Sequence, residues 1–198
     1  MAHGEAAVRV ADGIGGLMDR AWAYYALGRA YHARTDWGQA IPWLERALEA
    51  ARTIHLAYGE TLIVSQLGTT CVEAGRVPEA AAHATRALSL ARQRGERGEE
   101  AWALLLHGDV AARAEPVDVD GARAWYAQAL ALGEVLGMRP LAARCRLAMG
   151  ELERRAGRPD AARPHFAAAY ARLSADAHLA AEEPERLARL RELGGLAP

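Results

Sequence analysis

The sequence contains no lysine and no asparagine; all 24 of its basic residues are arginine. The missing lysine excludes a phosphate-binding P-loop, which ends in that residue, and Schiff-base chemistry, which needs its amine. Cysteine is scarce: Cys71 and Cys145 lie far apart. That is neither a disulfide framework nor a metal-ligand spacing, and it reads as two small buried side chains in a reducing compartment. No apolar run approaches the roughly 18 residues of a membrane span. The first 20 residues carry Glu5, Asp12 and Asp19 and no continuous apolar core, so no signal peptide is recognisable. The expected location is the cytoplasm. The net charge is −1, and the short runs Arg92-Gln93-Arg94 and Arg154-Arg155 are flanked by glutamate. Without a basic stripe, neither nucleic acid nor a membrane surface is an expected partner.

What the chain does have is a period. Gly28, Gly68 and Gly108 are spaced by 40 residues, and Gly150 follows 42 later. Small residues recur in the same frame at Ala40, Ala80, Ala122 and Ala162, and again at Ala47, Ala87, Ala129 and Ala169. Between them stand Leu44, Ala84, Tyr126 and Phe166. One insertion, the loop Glu115-Pro116-Val117-Asp118-Val119-Asp120, accounts for the two extra residues of the third repeat. A fixed period in this range marks a stacked-repeat solenoid. Hydrophobic residues make up 52% of the chain, much of that alanine, which suits close helix packing and excludes disorder.

Apolar residues recur at helical spacing, and strand-like alternation is absent. Breakers at Thr35-Asp36-Trp37-Gly38, Gly75-Arg76-Val77-Pro78, the 115–120 insertion and Gly157-Arg158-Pro159-Asp160 split each repeat into two helices. The spacing predicts helices over 19–34 and 37–53, 58–74 and 77–94, 98–114 and 119–136, and 139–156 and 159–174. The expected fold is all-α: a right-handed α-solenoid of tandem helix-turn-helix repeats in a single domain spanning 1–198. Its repeats cover 19–53, 58–94, 98–136 and 139–174. Residues 4–14 read as the second helix of a partial repeat, and 182–193 as a polar-backed capping helix with Leu187, Leu190 and Leu193 on one face. This pattern is that of the C-terminal end of a longer array, cut inside a repeat; an amphipathic lead-in is the alternative for 1–14.

The first repeat, Tyr24-x2-Leu27-Gly28-x2-Tyr31 followed by Ala40-x3-Leu44-x2-Ala47, resembles the tetratricopeptide repeat. Crossing helices need small residues where they touch, here Gly28, Ala40 and Ala47, and large ones filling the wedge beside them. The 40-residue period exceeds the family's usual 34, so longer helices are expected. A second resemblance rests on Glu99-Glu100-Ala101-Trp102-Ala103-Leu104, Leu136-Gly137-Met138-Arg139-Pro140-Leu141 and Gly157-Arg158. These are similar to the C-terminal repeat region of bacterial signal-transduction ATPase and nucleotide cyclase-type multidomain regulators. That resemblance implies a regulatory or scaffolding segment rather than a catalyst.

In such arrays the first helix of each repeat lines a concave groove. Helical spacing puts Trp22, Tyr25, Arg29 and His32 on that face, then Leu62, Ser65, Thr69 and Val72. Trp102, Leu105, Asp109 and Ala112 follow, and then Arg144, Leu147, Glu151 and Arg154. Aromatic and arginine residues are common interface anchors, and an apolar segment could lie along Trp22, Tyr25 and Trp102. Packing of the two tryptophans within the array is the competing reading. The lysine- and asparagine-based grip on a terminal carboxylate that some members of the repeat family use is excluded by composition.

Catalytic constellations are poor. The seven histidines show no His-Glu-x-x-His spacing. Asp118 and Asp120 are too few for a calcium loop and suit a helix cap. Ser65, Ser89 and Ser174 lack a Gly-flanked elbow. The expected function is a non-catalytic protein-interaction scaffold without metal or cofactor. It would be the regulatory repeat segment of a bacterial signalling protein, holding a protein or peptide segment from its own or another chain. A sensor that binds a small effector and relays it through superhelical curvature is the alternative.

Overall fold

The computed structural model describes residues 2–175 and 184–196. Among the described residues it contains ten α-helices and no strand. They are α1 (Ala2–Ile14), α2 (Leu17–Ala33), α3 (Trp37–Thr53), α4 (Ala57–Glu73) and α5 (Val77–Arg94). Then come α6 (Arg97–Ala111), α7 (Val119–Val135), α8 (Arg139–Arg155), α9 (Pro159–Ser174) and α10 (Pro184–Leu193). The predicted helices agree within two or three residues, and three of them, 37–53, 77–94 and 159–174, fall on the expected limits. The largest departure is α6, which stops at Ala111 rather than 114 because the chain turns there into the Pro116 insertion. Residues 182 and 183 of the expected capping helix lie outside the described residues.

Local chemistry sets the helix limits. Asp36 caps α3 by accepting from Gln39 N at 3.2 Å, and Asp118 caps α7 by accepting from Gly121 N at 2.9 Å. Pro78, Pro140 and Pro159 occupy first-turn positions, where a missing N–H costs no helical bond. Gly95 and Gly137 end α5 and α7 regions with φ of 68° each, a left-handed conformation that glycine adopts without a Cβ clash.

The chain divides into two compact units, Met1–Glu99 and Glu100–Pro198. In the first, α1 packs on α2, α2 on α3, α3 on α4 and α4 on α5. Helix α2 also touches α4, so the leading helices of successive hairpins lie side by side. The core is built from the recurring small residues: Ala40, Ala47, Ala80, Ala84 and Ala87 are fully buried beside Leu27, Leu44, Ile63 and Leu67. Leu44 lies on Gly28, where an added Cβ would come within 2.7 Å of its branch carbon. The large side chain thus sits directly over the glycine rather than beside the crossing.

In the second unit, α7 packs on α8, α8 on α9 and α9 on α10. The Tyr126 ring covers Gly108, and Phe166 covers Gly150, again so closely that a methyl group on either glycine would overlap it. Leu190 of α10 joins Ala162 and Phe166 in a buried cluster flanked by Leu173 and Leu193, which is how the terminal helix closes this unit. Cys71 and Cys145 are free thiols, both buried. Burial pushes the Cys145 thiol up to about 12, with Asp109 adding to the effect.

Candidate protein-binding face

In the first unit, Trp22 projects from α2 and stays 37% exposed. It meets Tyr25 edge to face, with ring centroids 6.0 Å apart. The Arg29 guanidinium lies over the same Tyr25 ring, 5.8 Å from its centroid. Tyr25 itself is buried, so it serves as the floor on which Trp22 and Arg29 are held. Burial raises its phenol above the ordinary range; Arg29 opposes this and Glu99 reinforces it. On its α1 side, Trp22 walls an open cleft of about 630 Å³ with Ala7, Val10 and Ala11, and Asp19 at its margin.

His32 turns towards α4. Its Nδ1 lies 3.0 Å from Thr70 Oγ1 and its Nε2 3.5 Å from Glu73. Its ring also sits 5.2 Å from Trp37. Leu62 is half-buried, and Thr69 donates to the Ser65 carbonyl at 3.1 Å. Ser65 is buried, and its Oγ has no hydrogen-bond partner among the described residues.

Three residues that the sequence reading left out also belong to this neighbourhood. Tyr58, one turn ahead of Leu62, is 55% exposed. The charge of Glu99 is the main cause of its raised phenol pKa, ahead of burial and Glu96. Glu99 stands one turn ahead of Trp102 and is only 7% exposed. Continuing the helical spacing one turn towards the N-terminus on α4 and α6 would have found both; Glu96, in the preceding turn, had no such signal.

In the second unit, the Arg144 guanidinium stands 6.0 Å from the centroid of the half-buried Trp102 ring. Leu105 was expected on the groove face. It is 2% exposed and belongs to the core, because α6 buries Leu104, Leu105 and Leu106 together. Asp109 accepts from Tyr126 Oη at 2.8 Å. Glu151 pairs along its own helix with Arg154 at 2.7 Å and Arg155 at 2.9 Å. The Arg154 hydrogen bond leads in holding the Glu151 carboxyl at about 2, against the opposing effect of burial. His107, which stands in a core leucine position, stacks on Trp125 at 4.6 Å between centroids. Among the described residues there is no cluster of three or more His, Cys, Asp or Glu side chains suited to a metal ion. No helix among them is long and apolar enough to cross a membrane.

Residues 23–54 match the family described as Tetratricopeptide repeat. No curated protein matches the sequence. Solved structures do. The apo form of RapI is similar with a TM-score of 0.74 at 12% identity, over 98% of this chain and 68% of its own. A Rap protein complexed with Competence and Sporulation Factor gives 0.79 at 16% identity, over 96% of this chain and 51% of its own. Aspartyl phosphate phosphatase F from Bacillus subtilis gives 0.76 at 14%, over 97% and 50%. The chain spans about half the length of the last two, and at these identities the likeness is one of fold. Residues 23–54 thus match a tetratricopeptide repeat, and the chain has the all-α fold of tandem helix-turn-helix repeats, an α-solenoid.

Proposed function

We propose that this protein is a non-catalytic interaction module, the regulatory repeat segment of a bacterial signalling protein. It holds an extended or helical protein segment on the face carrying Trp22, Tyr25, Arg29, His32, Leu62, Ser65 and Thr69. The observation that carries this reading is Trp22, a large aromatic left 37% exposed but braced by Tyr25 and bordering an apolar cleft. A braced aromatic gives contact area at little entropic cost. The second unit carries a separate set of polar and aromatic side chains, Trp102, Asp109, Arg144 and Glu151, proposed as a contact surface of its own. A similar fold is found in a Rap protein complexed with Competence and Sporulation Factor, which supports partner binding by this architecture. The cleft beside Trp22 is open and walled largely by alanine, a shape that suits a partner's side chains better than an enclosed small effector.

Display of random 15-residue peptides against the immobilised protein tests the proposal. Enriched clones should bind the Trp22→Ala variant at least tenfold more weakly while its helicity, read by circular dichroism, stays unchanged. Failure to enrich any clone, or equal binding to the variant, would count against it.

A further inference from the structure

Three glutamates are buried among the described residues: Glu60, Glu99 and Glu153. Two of them are met by arginine. Glu60 receives Arg52 at 3.1 Å, Arg86 at 2.5 Å and Arg94 at 2.7 Å. Glu153 receives Arg123 at 2.9 Å and Arg158 at 2.7 Å. This follows the general rule that a buried carboxylate keeps its charge only with a cation beside it.

Glu99 breaks the pattern. It is as deeply buried as the others, yet its Oε2 has no hydrogen-bond partner among the described residues. Its neighbours are a second acid, Glu96, whose Oε2 is also buried without a partner, and the Tyr58 hydroxyl. Burial first, and the Glu96 charge second, raise its carboxyl above the ordinary range, while Tyr58 opposes them. The nearby guanidinium of Arg29 is directed at the Tyr25 ring. Beside these acids Tyr58 is more than half exposed.

The geometry points to Glu99, Glu96 and Tyr58 as a subsite for a basic side chain, arginine above all, of the segment held on this face. The inference rests on the groove reading and names the chemistry of its occupant. A guanidinium fork would give Glu99 and Glu96 the hydrogen bonds they lack, in the way that arginine meets Glu60 and Glu153 within the fold. Its stem would lie over Tyr58, whose ring face attracts a cation. The occupant is therefore a basic partner segment, complementary in charge to two carboxylates that share no cation among the described residues.

The test uses the displayed peptides and synthetic copies of the enriched ones. Enriched clones should share an arginine or lysine at one position. Replacing that arginine with citrulline, which keeps shape and loses charge, should weaken binding to the wild-type protein about tenfold or more, the loss of one charge-assisted hydrogen bond. Glu99→Gln should weaken binding of the arginine peptide by a similar factor and leave the citrulline peptide unaffected. Tyr58→Ala, at an exposed position, provides a second variant with little risk to folding and should weaken the arginine peptide several-fold. Clones that bind without a shared basic residue, or equal binding of arginine and citrulline peptides, overturn the subsite and leave the groove reading standing. Absence of any enriched clone overturns both.

Discussion

Thr35 and Gly75 occupy the same place in successive hairpins, and both adopt a left-handed backbone, with φ of 58° and 77°. The same relationship holds between His55, at 52°, and Gly95, at 68°, in the turns that follow each hairpin. Two of the four turns thus use a residue with a Cβ where the repeat elsewhere uses glycine. For a β-branched residue such as Thr35 this conformation is a genuine outlier. It costs roughly 1–2 kcal/mol relative to a right-handed one.

Thr35→Gly should therefore stabilise the protein. The gain is about 0.5–1 kcal/mol, because glycine's extra freedom in the unfolded chain offsets part of the relief. Neither backbone bond of the turn depends on the side chain, since Thr35 N donates to the His32 carbonyl and Asp36 N to Tyr31. Thermal unfolding should show a rise of about 1–4 °C for a chain of this size. A fall in the midpoint would mean that the threonine side chain contributes something the turn geometry does not reveal.

Gly108 and Gly98 lie on one helix, α6, and should respond in opposite ways to alanine. An added Cβ at Gly108 would overlap the Tyr126 ring, whereas at Gly98 nothing lies within 4 Å. Tyr126 is buried and tied through its hydroxyl to Asp109, so it has no room to retreat. Gly108→Ala should cost about 1–3 kcal/mol, the usual effect of overpacking. Gly98→Ala should be neutral or gain up to about 1 kcal/mol from helix propensity. Denaturant titration of the two variants checks both signs, and equal effects would refute the account of why this glycine recurs.

That glycine period made the fold legible. Gly28, Gly108 and Gly150 each sit beneath the large residue sixteen or eighteen positions on, namely Leu44, Tyr126 and Phe166, so spacing in the sequence reports contact between helices. Helix limits were legible where a cap or proline marks them, as at Asp36 and Pro159, and less so at the end of α6. The face was only partly legible. Periodicity identifies which side of a helix a residue occupies, not how deep its neighbours leave it, which is why Leu105 was expected on the surface and lies in the core. Glu99 shows the same limit in reverse. Spacing sets it on the face of Trp102, but its burial without an arginine beside it comes from tertiary packing that the local sequence does not report.

Glu60 should make stability fall in acid. It joins three helices, because Arg52 comes from α3 and Arg86 and Arg94 from α5, while Glu60 itself belongs to α4. Burial alone would raise its carboxyl, but the hydrogen bonds from Arg86, Arg94 and Arg52 prevail and hold it at about 2. The unfolded chain would titrate near an ordinary glutamate value of about 4.3. The native pKa is the lower of the two, so the unfolded state takes up the proton first as pH falls. The stabilisation is complete above about pH 5 and disappears as pH drops through about 2. Allowing for screening at the half-exposed arginine ends, it is on the order of 2 kcal/mol. Glu60→Gln should therefore be less stable than the wild type at pH 7 by at least that amount, since three guanidinium groups then lack their shared carboxylate. The difference between the two proteins should shrink as denaturation is followed from pH 5 towards pH 2. A difference that stays constant over that range would show that Glu60 acts through packing and not through its charge.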